Sequence, residues 1–159
     1  THSPKYHPDN LAMFNWQDFH QVADYLQDHA SDVDCSEAMQ RSAISRAYYA
    51  AFGFARQIAE HMGFIPDQYG TDEHRQLQKW YDIPEGNSIQ AKIGQSWDVA
   101  IHCRDISKDL NRLHKWRKNA DYDQKLTWPP GEILSQAIDD SRKIIEKVAL
   151  VANAPEDIE

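Results

Sequence analysis

Arg117 stands where an apolar side chain is expected. Along the segment that precedes it, Val99, Cys103, Ile106, Leu110 and Leu113 recur at spacings of four, three, four and three, the signature of one helix face. At about 100° per residue this stripe stays within about 40° of the direction of Val99, and Arg117 falls on that direction. A guanidinium facing a core or an interface is costly unless an acceptor meets it. Asp121, four residues on, shares the face and suits a charge-assisted pair, while His114, three residues back, borders it. Arg117, Asp121 and His114 therefore form an ionisable cluster turned toward a core or an interface, and the functional reading is a polar site at a subunit boundary. The plainer reading is an Arg–Asp clip that ends the helix near Tyr122.

Arg104, Lys108, Arg112 and Lys115 point about 140 to 220° away from the stripe and share the outer face. They are the candidate residues for binding nucleic acid or another anion; the alternative is a solvated face neutralised by Asp105 and Asp109. With 17 basic and 25 acidic residues the chain carries a formal charge of −8, which disfavours non-specific adhesion to nucleic acid or to an anionic membrane. The segment from Arg104 to Lys118 runs the other way, with six basic residues against two aspartates, a balance of +4 that leaves −12 elsewhere. An anionic partner is expected there first.

Other constellations carry less. The chain has no Gly-rich phosphate loop, no HExxH and no ExxH pair, so neither a metal nor a cofactor is expected. Asp98 and His102 read as a surface pair. Ser42 and Ser45 have no adjacent base that would make either a nucleophile. Tyr48 and Tyr49 read as core residues with a hydroxyl in need of a partner, and Trp80 and Trp116 as packing residues. Cys35 and Cys103 lack CxxC spacing and read as buried, reduced thiols.

These residues have to be positioned by helices. The 159 residues, 41% of them hydrophobic and 26% charged, fit one soluble domain. Helical periodicity runs nearly throughout, so the class is all-α. Residues 1–14 read as an arm, 15–153 as one helical domain and 154–159 as a short acidic tail. The first helix follows a capping arrangement of Asn15 and Asp18, with Phe19, Val22, Ala23, Leu26 and Ala30 on its inner side. The second, opened by Asp34 and Glu37, ends near Gly63 and carries two apolar stripes, Ala43, Ala47, Ala50, Phe54 and Ile44, Tyr48, Ala51, Ala55. So wide a buried arc places it at the centre. A short helix over Asp72 to Tyr81, capped by Thr71, interrupts a long connection. The third main helix spans about Ile89 to Ala120. After a break at Trp128-Pro129-Pro130-Gly131, Leu134, Ala137, Ile138, Ile145, Val148 and Ala152 outline a fourth, whose outer face carries Asp139, Asp140, Arg142, Lys143, Glu146 and Lys147. No apolar run is long enough to span a membrane and no secretory leader is visible, so a cytoplasmic location without membrane contact is expected.

Two segments, RSAISRAYYAAFGFARQIAEHMG and LNRLHKWRKNADYD, together resemble HEPN domains. The first is similar to their tyrosine-bearing second helix and the second to the Arg-x-x-Ala-Asp-Tyr ending of their next long helix. The resemblance covers residues 15–152. It implies an up-and-down bundle of four to five helices, a homodimer, and a role in prokaryotic toxin–antitoxin, anti-phage or RNA-processing systems. The implied partners are a second copy of the chain, a nucleotidyltransferase or another protein, and RNA or a nucleotide. Many members are metal-independent RNases, in which an Arg, followed by four to six residues and then a His, is contributed by both subunits to a cleft at the dimer interface. The His transfers a proton during attack of a ribose 2′-hydroxyl and the Arg stabilises charge on the phosphate.

Arg117 aligns with that Arg, but Tyr122, Asp123 and Gln124 occupy the positions for His. Arg56 and His61 have the spacing, mid-way along the second helix, where chance accounts for it. Tyr122 lies where tyrosines are modified in some relatives. Three functions follow as expectations: a HEPN-like dimeric binding or regulatory module without standard RNase activity; a divergent metal-independent endoribonuclease using Arg117, Asp121 and His114; and a structural subunit that recognises another protein.

Overall fold

The computed structural model describes residues 14–67, 72–82 and 97–154, and every regular element among them is helical. The expected arm over 1–14 apart from residue 14, the expected tail over 154–159 apart from residue 154, the Thr71 cap and the start of the third main helix over 89–96 lie outside the described residues. Five α-helices follow in order: α1 (Asp18–His29), α2 (Ser36–His61), α3 (Glu73–Asp82), α4 (Trp97–Tyr122) and α5 (Pro130–Ala152), with a 3-10 turn over Ala30–Asp32. α2 packs against each of the other four, α1 and α4 each also meet α5, and α3 lies chiefly on α4.

The two stripes of α2 are buried throughout. Alanine and glycine make up much of that surface, which lets neighbouring backbones approach closely. Ser141 of α5 donates to the Ala47 carbonyl at 2.7 Å and Tyr81 of α3 to the Ala55 carbonyl at 2.8 Å. Gly63, at φ 104°, ends α2 in the left-handed conformation glycine adopts without strain. The Phe64 N–H returns to Ala59 O at 2.9 Å and the Gly63 N–H to Glu60 O at 3.1 Å, which satisfies carbonyls the helix end leaves open.

Several expectations need correction. The Asn15 side chain accepts from the Gln17 N–H, ahead of α1, so it closes a local turn rather than capping the helix; Val22 is exposed. α2 begins at Ser36, after Cys35, with no side-chain cap from Asp34. Asp72 opens α3 by accepting the Arg75 N–H at 3.2 Å. α4 runs on to Tyr122, and α5 starts within the expected break because Pro130 is its first residue, a position where the missing N–H costs nothing.

Cys35 is exposed and only Cys103 is buried. Burial pushes the Cys103 thiol up to about 12, so it stays protonated and unreactive at neutral pH. A disulfide reagent added to native protein is expected to titrate one thiol, Cys35, and two after denaturation. Two native thiols would contradict this packing.

Candidate functional site

α4 carries His114, Arg117 and Asp121 at i, i+3 and i+7, so they share one side of its last two turns. α2 presents Ser45, Tyr48 and Tyr49 to that side. The Arg117 side chain is 13% exposed, and its Nη1 lies 3.5 Å from Asp121 Oδ2. Ser45 Oγ donates to the same Oδ2 at 3.3 Å. The guanidinium carbon sits 5.1 Å from the ring centre of Tyr48, 5.6 Å from Tyr49 and 5.8 Å from Tyr122. Such a cage of aromatic faces favours a cation. Burial weighs against the Arg117 charge, but Tyr49, Tyr48 and Asp121 outweigh it and raise its pKa. Arg117 therefore faces inward, as its place on the stripe requires, and meets its aspartate.

The structure adds His74, which the sequence reading did not single out. It projects from the first turn of α3, and its ring stacks on His114 with centres 3.7 Å apart and planes 14° apart. Its Nδ1 lies 3.2 Å from the Tyr48 hydroxyl. Burial, then the neighbouring His114, hold His74 down to about 4. Burial, then Arg117, also lower His114. Both imidazoles are consequently neutral at pH 7. Burial raises the Tyr48 pKa far above its usual value, so it remains a phenol. His74 Nε2 and Arg117 Nε are buried without a hydrogen-bond partner among the described residues, an unusual pair of orphans for one cluster. A trace of His74 existed in the sequence: it sits three residues before Leu77 and seven before Tyr81, on the face that α3 buries.

The outer face of α4 divides. Arg104, Lys108 and Lys115 are exposed and make no ion pair among the described residues. Arg112, expected with them, is instead held by Asp140 at 2.8 Å and Asp109 at 3.2 Å. Asp140 itself, expected on the outer face of α5, is buried, and burial raises its pKa despite Arg112. It occupies the α5 stripe between Ile133, Ala137 and Ile144, so an inward charge here needs Arg112 just as Arg117 needs Asp121. Asp105 is taken by Lys147 of α5 at 3.1 Å.

Of the remaining candidates, Arg56 pairs with Glu60 and with Glu73 of α3, both at 3.1 Å. Trp80 and Trp116 are buried packing residues. Among the described residues, no group of three or more His, Cys, Asp or Glu side chains is placed to hold a metal, and no helix is long and apolar enough to cross a membrane. Comparison with models of protein families, with curated proteins and with solved structures found no match for this chain.

Proposed function

We propose that this chain is a HEPN-like dimeric binding or regulatory module of a defence, toxin–antitoxin or nucleotidyltransferase-linked system, without the standard ribonuclease activity of such domains. One observation carries the reading. Arg117 is enclosed by Asp121 and three tyrosine rings, and the residues after it that would supply a base are Tyr122, Asp123 and Gln124. An acid–base catalyst lost from such a site costs a factor of about 10² to 10⁴ in rate. Arg104, Lys108 and Lys115 remain open for an anionic partner. Purified protein is expected to run as a dimer and to leave single-stranded RNA and tRNA intact without added metal.

A second reading, a divergent metal-independent endoribonuclease, is favoured by the neutral imidazole of His114 one turn before Arg117. Cleavage of these RNAs that disappears in Arg117→Ala would establish the second reading and overturn the first.

A further inference from the structure

We propose that α3 is a flap latched onto α4 by the stacked rings of His74 and His114, and that acidification releases it and uncovers Tyr48. The geometry sets the latch. α3 has 10 residues, too few for a helix to persist alone in water, so its order depends on what it packs against. Among the described residues its polar ties include the ring stack, the Tyr48–His74 contact, the Tyr81 hydroxyl on Ala55 O, the Arg56–Glu73 pair and the Gln76 side chain, which accepts the Asp67 N–H at 2.7 Å. The first two meet at His74.

Every element packed against the stack bears on its charge. α4 supplies His114 itself, with Arg117 and Lys118, all of which disfavour an imidazolium at His74. α2 supplies Tyr48, an un-ionised phenol, and the uncharged ring of Phe52, centred 6.0 Å from His74; Arg56 of α2 is engaged by Glu60 and Glu73. Just before α3 stands Asp72, a carboxylate that favours protonation of His74, although its Oδ1 already accepts the Arg75 N–H. Two imidazolium rings 3.7 Å apart beside an arginine and a lysine are untenable. The Nε2 of His74, which has no hydrogen-bond partner among the described residues, is a further cost of the closed arrangement that opening relieves.

The direction follows from linkage. Closed, His74 titrates near 4; open, it returns to about 6.5. Between these values the open form binds more protons, so opening gains as pH falls. His74 alone shifts the opening equilibrium about 30-fold between pH 7.5 and pH 5, and His114 adds to this in the same direction.

Hydrogen exchange read by mass spectrometry on the full chain, corrected for the intrinsic pH dependence of exchange, tests the latch. From pH 7.5 to pH 5, amides of residues 73–82 are expected to lose protection by about 10- to 30-fold while those of α2 and α5 change much less. His74→Phe and His114→Phe each keep a flat ring and remove a titrating group. Loss or marked weakening of the α3 response in either variant supports the proposal, and its persistence in both overturns it. Should neither variant fold, the wild-type comparison decides: loss of protection in α3 and α2 together, or none in α3, sinks the latch. RNA cleavage plays no part in this readout, so it stands apart from the functional reading above.

Discussion

Gly53→Ala is expected to destabilise the protein by about 2–4 kcal/mol, although alanine is the better helix former by about 1 kcal/mol. Gly53 lies inside α2, and a Cβ there would fall within the indole of Trp16, onto Cδ2, Cε3 and Cγ. These are the inner atoms of a rigid ring, so swinging a flexible tip cannot relieve the overlap. Trp16 would have to leave its seat, and with it the aromatic cluster in which it meets Phe14 at 5.1 Å and Phe19 at 5.9 Å. Losing the packing of one large aromatic costs about 3–5 kcal/mol when complete. For a chain of this size the midpoint of thermal unfolding should fall by about 6–12 °C. The double variant Trp16→Ala, Gly53→Ala identifies the cause. It should be no less stable than Trp16→Ala alone, because the clash has gone and the propensity gain remains. Additive losses would show that Gly53 serves some other purpose.

Arg41→Met is expected to cost about 2–3 kcal/mol and to loosen the end of α4. Arg41 reaches from α2 to three carbonyls: Nη1 donates to Ala120 O at 3.0 Å and Asp123 O at 2.5 Å, and Nη2 donates to Gln124 O at 3.1 Å. Its Nε donates to Glu37 at 3.1 Å, which holds the fork in place. Ala120 O is one of the last carbonyls of α4, which lack partners within the helix and carry its negative dipole end, and Asp123 O and Gln124 O belong to the residues just past it, so one cation tying all three replaces a cap. Methionine keeps the stem and removes the donors. A single ammonium cannot reproduce the planar fork, so Arg41→Lys should recover less than half of the loss. Urea unfolding measures the energies, and limited proteolysis within residues 123–128 reports the local effect. Unchanged stability and unchanged cleavage would mean that water serves those carbonyls equally well. Because Asp121 lies inside the clamped turn, the same variant tests how firmly the partner of Arg117 is held.

How much of this was legible depends on how far the cause reaches along the chain. The stripes of α2 and α4 and the inward aim of Arg117 are matters of spacing within one helix, and three to seven residues suffice to fix them. Asp140 obeys the same rule on α5; its place on the stripe was readable, and its polar character drew it to the wrong face. The exposure of Cys35 was not readable, because it falls between helices, where periodicity says nothing.

The sequence by itself determined that the described chain is helical, that α2 is central, and that a charge sits on the inner line of α4 with an aspartate one turn away. Only the tertiary structure decided what surrounds that charge: Tyr48 and Tyr49 from α2, and His74 from α3 against His114. It likewise decided that Arg112 turns to Asp140 and that Arg41 closes α4. Periodicity is a local property, set by the fixed rise and turn of a helix. Which faces meet depends on how whole helices pack, and that involves residues tens of positions apart whose spacing no local rule constrains.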